Sequence, residues 1–236
     1  METPQKTAAV KRHFDRVASR YDLMNTILSL GLHHLWKRRA VGLLGLAPGE
    51  RVIDVCGGTG DLARLAALQV GPTGGVILYD INRAMMLAGR DKITQAGFHQ
   101  HVWLVEGDAE GLAVVDDRLD AALVGFGVRN LARMDEGLRE MHRVLKPGGR
   151  LVILEFSRPT NPLWRWLYDR YSFLVMPRLG QLIAGSREAY TYLTTSIRQF
   201  PSPAEVADLL RRIGFTQVTY HPLTNGIAMI HRAVKS

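Results

Sequence analysis

The sequence predicts an α/β protein built on one mostly parallel, seven-stranded sheet covered by helices, in a single domain spanning residues 1–236. Three observations carry this. Short β-rich apolar runs alternate with segments of helical periodicity along most of the chain, the pattern of parallel strands joined by crossover helices. The last stretch departs from it, with two strand-like runs joined by a short turn, which predicts a closing antiparallel hairpin. The chain has 236 residues and is 47% hydrophobic, enough for one substantial core, so no second independent domain is expected.

In chain order, residues 8–47 read as an N-terminal helical cap. Phe14, Val17 and Tyr21 share a helix face there, and Gly31 breaks the run. Residues 48–156 form the core, with parallel strands expected at Arg51–Val55, Gly75–Tyr79, Val102–Glu106, Leu119–Val124 and Arg150–Phe156 and helices between them. Leu138, Met141, Val144 and Leu145 give the helix before the last of these a core-facing stripe, and Pro147-Gly148-Gly149 turns the chain into the strand; these residues read as scaffold. Residues 157–200 are a long insertion, aromatic and basic, with Trp164, Trp166, Tyr168, Tyr171 and Phe173 among Arg165, Arg170 and Arg178. Insertions at the carboxyl ends of strands in open α/β sheets stand over the ligand crevice, so this one is expected to form a lid. Residues 201–236 give a helix and the hairpin, Phe215–Tyr220 and Ile227–Val234, joined by His221-Pro222-Leu223-Thr224-Asn225-Gly226.

Composition narrows the classes. One cysteine, Cys56, excludes a disulfide framework and fits a reducing cytoplasm; no His/Cys cluster has zinc-ligand spacing, and no metal is expected. His99 and His101 have no acidic companion and read as a surface loop. The N-terminus has no signal-like apolar stretch, and no uncharged run approaches the roughly 20 residues that span a bilayer, so a soluble or peripheral cytoplasmic protein is expected. Thirty Lys+Arg against 22 Asp+Glu leave a net charge of +8. Such a surface attracts nucleic acid, anionic lipid or acidic small molecules alike, and charge alone does not choose among them.

The chemistry concentrates after the first strand. Val52 to Leu62 reads as a strand, the glycine turn Cys56-Gly57-Gly58-Thr59-Gly60-Asp61 and a helix start. Glycine is needed where the backbone takes positive φ or lies against a ligand with no Cβ in the way, so Gly57, Gly58 and Gly60, with Thr59, are candidate ligand contacts. The turn has a rival reading, because Gly58-Thr59-Gly60-Asp61-Leu62-Ala63 also satisfies the dinucleotide fingerprint. Asp54 and Asp61 favour S-adenosylmethionine: negative charge at both ends of the turn is unfavourable beside a pyrophosphate and suits an ammonium and a sulfonium. Asp80, 20 residues beyond Gly60, stands where a carboxylate accepts ribose hydroxyls in either ligand class. In Gly107-Asp108-Ala109-Glu110, after the third strand, an acidic residue reaches an adenine amino group. The competing role for Asp80 and Asp108 is helix N-capping.

Five parallel strands closed by a hairpin resemble the class I S-adenosylmethionine-dependent methyltransferase fold more than a dehydrogenase. The chain further resembles the ubiquinone/menaquinone biosynthesis C-methyltransferases in Tyr21-Asp22-Leu23-Met24-Asn25, Gly31 to Lys37, Asp54 to Asp61, Asp80-Ile81-Asn82 and Gly107 to Glu110. The likeness continues through Phe126-Gly127-Val128-Arg129-Asn130, Leu154-Glu155-Phe156-Ser157, Tyr190 to Leu193 with Ser196-Ile197 and Phe200-Pro201, and Leu223 to Ile227 with His231-Arg232. The glycine turn is general to class I enzymes; Phe-Gly-x-Arg-Asn is specific to this family.

The resemblance implies methylation of a ring carbon of demethylmenaquinol, the favoured substrate, of a polyprenyl methoxybenzoquinol, or of both. It carries cofactor contacts to Thr59, Asp80, Asp108 and Ala109, and catalysis to Arg129 with Asn130 and Tyr21. Gly125 stands on the cofactor side where many relatives have serine, which puts a side-chain contact there in doubt, and Thr224-Asn225-Gly226-Ile227 replaces the usual Thr-Gly-Gly-Ile. An ionised quinol hydroxyl places negative charge on the adjacent ring carbon. Because a guanidinium keeps its proton, Arg129 is expected to stabilise the phenolate rather than act as the base. The 162–184 segment, aromatics beside arginines, is the face expected to meet an anionic membrane. Nucleic acid is disfavoured, since Gly125 to Asn130 holds the place of the Asn/Asp-Pro-Pro-aromatic motif of amino-methylating enzymes. A non-catalytic cofactor-binding component stays as an alternative, and homodimerisation is left open.

Overall fold

The computed structural model describes residues 10–12, 14, 15, 18–159, 161–175, 178 and 187–236. Its strands are Arg51–Val55 (β1), Gly75–Asp80 (β2), Val102–Glu106 (β3), Leu119–Gly125 (β4), Leu145–Phe156 (β5), Phe215–Leu223 (β6) and Ala228–Lys235 (β7). They form one sheet in the order β3-β2-β1-β4-β5-β7-β6. The first five are parallel, and β7 lies antiparallel between β5 and β6. The order reverses between β1 and β4, and in an open α/β sheet a ligand binds at that switch point, beyond the carboxyl ends of the strands.

The helices are Tyr21–Leu28 (α1), Leu32–Leu44 (α2), Asp61–Val70 (α3), Arg83–Gln95 (α4), Met134–Val144 (α5), Pro162–Arg170 (α6), Arg187–Gln199 (α7) and Pro203–Ile213 (α8). They cover the two faces of the sheet. Trp36, Ala40, Val41 and Leu44 of α2 and the inner stripe of α3 pack on one face; Leu138, Met141 and Val144 of α5 with Val206 and Leu210 of α8 pack on the other. This sandwich explains the apolar stretch Ala121 to Val124 of β4, since a parallel strand buried on both sides has no polar face; Asp54 in β1 is the exception. Local signals set the helix ends. Ser202 and Glu205 form a reciprocal capping box at α8, with Pro203 in the first turn and Gly214 at the C-terminal end.

Three differences from the sequence expectations have physical causes. No helix follows β3: residues 107–118 cross to β4 as a loop, pinned by Glu140, which accepts from Leu112 N at 2.7 Å, and by Arg143, which donates to Leu112 O and Val114 O. β5 begins at Leu145 rather than Arg150, because Leu145 pairs with Leu119 before residues 146–149 bulge out and pairing resumes at Ala121 with Arg150. β6 runs on through His221 and Pro222, leaving Thr224–Gly226 as the turn. Proline is tolerated there because β6 is an edge strand. In the expected cap, Gly31 does break the helices at φ 78°, and Phe14 meets Tyr21 edge-on at 5.9 Å; Val17 lies outside the described residues, as does 179–186 of the insertion.

Candidate active site

Two strained turns meet at the switch point. After β1, Cys56 has φ 55°, and after β4, Phe126 has φ 58°, left-handed values that a side-chain-bearing residue adopts only when its surroundings impose them. Here they are imposed by contact: a Cβ on Gly127 would stand 2.5 Å from Cys56 Cβ. Phe126 N also donates to Leu154 O at 2.7 Å, which locks the second turn onto β5.

The crevice beside these turns encloses about 750 Å3, part of it open to solvent, and Tyr21, Gly58, Asp80, Asp108, Ala109, Gly125 and Asn130 all line it. Asp54, Gly57 and Thr59 instead line an adjoining recess that shares Tyr21, Gly58 and Gly125 with the crevice. Gly60 reaches neither space. Its φ is 76°, and a Cβ would come 2.8 Å from Leu78, so it shapes the turn from beneath. At Gly125 a Cβ would meet Leu62 Cδ1 at 2.4 Å, so this chain presents only backbone to the crevice there.

Asp80 does not cap a helix. Its two oxygens accept from Gly58 N at 2.8 Å and Asn82 N at 2.7 Å, tying the glycine turn to the end of β2, while Asn82 itself caps α4 through Met85 N. Each carboxylate oxygen retains a lone pair for a ribose hydroxyl. Burial pushes the Asp80 carboxyl up. Asp108 accepts from Glu110 N at 3.0 Å in the loop after β3, so it too caps no helix.

The charges flanking the turn divide differently from the sequence expectation. Asp61 lines the recess beside Asp54, but its oxygens are already engaged, accepting from Lys37 at 2.7 Å and Lys92 at 2.9 Å. Burial opposes its charge, yet the two ammonium groups hold its carboxyl well below the usual range. Lys92 also bonds Asp22 at 2.6 Å, and Asp22 accepts from the Thr59 hydroxyl at 2.6 Å. The Thr59 side chain is thus spent on α1, and this network latches the helix carrying Tyr21 to the glycine turn. His33 and His34 bring ligand atoms within 4.8 Å of Asp61, where both carboxylate oxygens already hold lysines.

Asp54 is fully buried. One oxygen accepts from Ala63 N at 2.9 Å; the other has no hydrogen-bond partner among the described residues. Burial pushes its carboxyl well up, opposed in part by that N–H. An orphaned acceptor in the recess, with Asp80 and Asp108 along the crevice, is an acceptor-rich set, and it fits the ammonium, ribose hydroxyls and adenine amine of S-adenosylmethionine.

Val128–Asn130 makes a single 3-10 turn after β4. Asn130 faces the crevice. Arg129 turns inward, its side chain 5% exposed beside a fully buried Glu155, with Nη1 at 2.9 Å from Glu155 Oε1. The same Nη1 donates to Phe126 O, and Glu155 also accepts from the backbone N–H groups of Arg129 and Phe156. Burial pushes the Glu155 carboxyl up against these donors. Arg129 Nε is buried and has no hydrogen-bond partner among the described residues. A guanidinium directly on the crevice wall is therefore not what this turn provides; it provides one behind the wall, charge-compensated, with a donor to spare. Glu155 was legible as a charge inside the apolar run Leu151 to Phe156, since a buried carboxylate demands a partner. Asp22, Lys37 and Tyr192 fall inside the stretches that carry the resemblance, but no role was legible for them there, and no signal marked Lys92.

The model of the ubiE/COQ5 methyltransferase family matches residues 2–235. The chain is 48% identical over 231 residues to the ubiquinone/menaquinone biosynthesis C-methyltransferase UbiE of Ectopseudomonas mendocina, covering 98% of this chain and 90% of that one. The UbiE protein of Pseudomonas putida strain GB-1 is equally similar, at 48% over 231 residues with the same coverage. Among solved structures, an S-adenosylmethionine-dependent methyltransferase from Aquifex aeolicus superposes with a TM-score of 0.61 at 19% identity, covering 85% of this chain and 89% of that one. The [4+2]-cyclase SpnF superposes at 0.70 and 16% identity, covering 96% and 94%. Identities this low speak for the shared fold alone.

Proposed function

The chain belongs to the ubiE/COQ5 methyltransferase family, and from that premise we propose that this quinone-biosynthesis C-methyltransferase methylates a ring carbon of demethylmenaquinol, in preference to a polyprenyl methoxybenzoquinol. The observation that carries the reading is the contact between the glycine turn and the Arg-Asn turn, with Gly127 packed on Cys56. In support of it, Tyr21 and Asn130 line one crevice with Asp80, Asp108 and Ala109, while Asp54, Gly57 and Thr59 line the adjoining recess and Arg129 lies behind the wall. When bound, S-adenosylmethionine supplies an activated methyl electrophile on its sulfonium. The chain then has to align the ring carbon and favour the ionised form of the quinol hydroxyl.

Asn130 and Tyr21, on the crevice wall, are the groups we assign to orient the quinol oxygen. Arg129 supplies positive charge just behind them. Because the buried carboxylate of Glu155 compensates that charge in the resting enzyme, the guanidinium avoids the cost of an isolated buried ion. Its spare Nε–H gives it capacity to bond an oxyanion or a bridging water. Asp54, Asp80, Asp108 and Ala109 are assigned to the cofactor, with Gly57 and Gly58 as backbone contacts.

An isoprenoid tail keeps such a substrate in a bilayer, and we place the enzyme in the cytoplasm against an anionic membrane face. No described helix is long and apolar enough to cross a membrane. Supporting a peripheral contact, α6 buries none of its residues; Leu163, Trp164, Trp166 and Leu167, with Phe173 and Leu174 beyond it, are all exposed, and Arg170 lies over the Trp166 ring at 5.0 Å. Aromatic and apolar side chains interleaved with arginines suit an anionic headgroup layer.

Labelled S-adenosylmethionine offered with each reduced quinol tests the assignment. Label is expected in methylated naphthoquinol, with less in the benzoquinol; incorporation confined to the benzoquinol would reverse the substrate preference.

A further inference from the structure

Resting on the quinol reading above, we propose that Tyr192 is a positioning residue for the reaction, its hydroxyl fixing the Asn130 amide and so coupling the insertion to the catalytic turn. Tyr192 sits on α7, 62 residues beyond Asn130, and its hydroxyl donates to Asn130 Oδ1 at 3.1 Å. The other end of the amide, Nδ2, donates to Phe126 O at 3.4 Å. Phe126 O can only accept, so it determines which end of the amide is nitrogen. With the oxygen on the phenol and one N–H on the carbonyl, the amide plane is set and its second N–H is available to the crevice that Asn130 lines.

The insertion is built to hold that phenol in place. On α7, Thr194, Ser196 and Ile197 are buried. One turn beyond Thr194, Arg198 donates to Asp169 at 2.6 Å and Ser172 at 3.1 Å and lies over the Phe173 ring at 3.8 Å. Tyr171, in the same segment, donates to Leu28 O at 2.9 Å at the end of α1, the helix that carries Tyr21. One insertion therefore braces both candidate substrate contacts, Asn130 through Tyr192 and the Tyr21 helix through Tyr171. Burial raises the Tyr192 phenol, with Arg129 opposing, so it stays a donor at neutral pH.

The test compares wild type, Tyr192→Phe, Asn130→Ala and the double variant, using labelled S-adenosylmethionine and reduced demethylmenaquinol or methoxybenzoquinol. Phenylalanine keeps the ring and removes the hydroxyl. Tyr192→Phe is expected to lower kcat about tenfold while leaving KM for S-adenosylmethionine unchanged. If Tyr192 acts through Asn130, the double variant is no slower than Asn130→Ala. Wild-type kcat in Tyr192→Phe, or a full further loss of about tenfold in the double variant, overturns the proposal. Should wild type methylate neither quinol, the substrate reading fails separately. Melting temperatures of the same four proteins then decide the link: non-additive shifts uphold it, and additive shifts overturn it.

Discussion

A guanidinium buried against a phenylalanine ring must be paired or expelled, because an isolated buried charge costs several kcal/mol. Arg129 is paired with Glu155 at 2.9 Å and lies 5.4 Å from the Phe156 ring centre, so its charge is retained and balanced a short distance behind the crevice. His33 solves the opposite problem by giving up its charge. Burial, then Lys37 and His34, lower its pKa from 6.5 to about 4, while its Nδ1 stays at 2.8 Å from the Ser29 hydroxyl. The folded protein therefore binds fewer protons at His33 than the unfolded chain between those two values, and stability contributed by the neutral ring is lost as pH falls from 6.5 toward 4. His142 and His231, also lowered mainly by burial, act in the same direction. Melting temperature should fall across that window, and His33→Gln should flatten part of the slope. An unchanged slope in the variant would assign the acid sensitivity elsewhere.

At the scale of elements, the insertion displays its surface character in its sequence and hides its tertiary contacts. Its place after β5 gives the expectation of a lid and its aromatics beside arginines that of a membrane face, and α6 exposes Trp164 and Trp166. Replacing both by serine removes two side chains whose burial stabilises by about 2 kcal/mol each, so binding to anionic vesicles should weaken more than tenfold. Vesicle flotation reads this; equal flotation of wild type and variant would remove α6 from the contact. What the sequence did not disclose is how the insertion grips the rest of the chain. Tyr192 to Asn130 and Tyr171 to Leu28 join residues 62 and 143 apart, and a tyrosine in a helical pattern gives no sign of whether its hydroxyl ends on water or on a distant amide. The loop at 107–118 departs from the pattern for a related reason. Its tethers to Glu140 and Arg143 are long-range, whereas the alternation rule assumes a helix between successive parallel strands.

For the whole molecule, the sheet was legible because short apolar strand runs alternate with helical periodicity, and the hairpin because two such runs are joined by a turn alone. Strand ends moved only where partners, not propensity, decide pairing, as at Leu145 and Pro222. The site was legible in outline because glycine turns and an Arg-Asn pair announce themselves locally. The sequence treated Asp54 and Asp61 as alike, and the fold separates them: one is buried with an orphaned oxygen, the other is spent on Lys37 and Lys92. Through that second cluster, α1 with its Tyr21 is fastened to the glycine turn, so the proposed cofactor and substrate contacts form one connected unit. The central claim is that positive charge at Arg129, held behind Asn130 by Glu155, makes the quinol ring carbon nucleophilic. Its most direct measurement is methyl transfer by Arg129→Lys beside S-adenosylmethionine affinity in the same variant. Lysine keeps the charge but cannot bond Glu155 and Phe126 O while leaving a fixed N–H over, so turnover should fall about 100-fold with affinity unchanged. Near-normal turnover in Arg129→Lys would contradict the account.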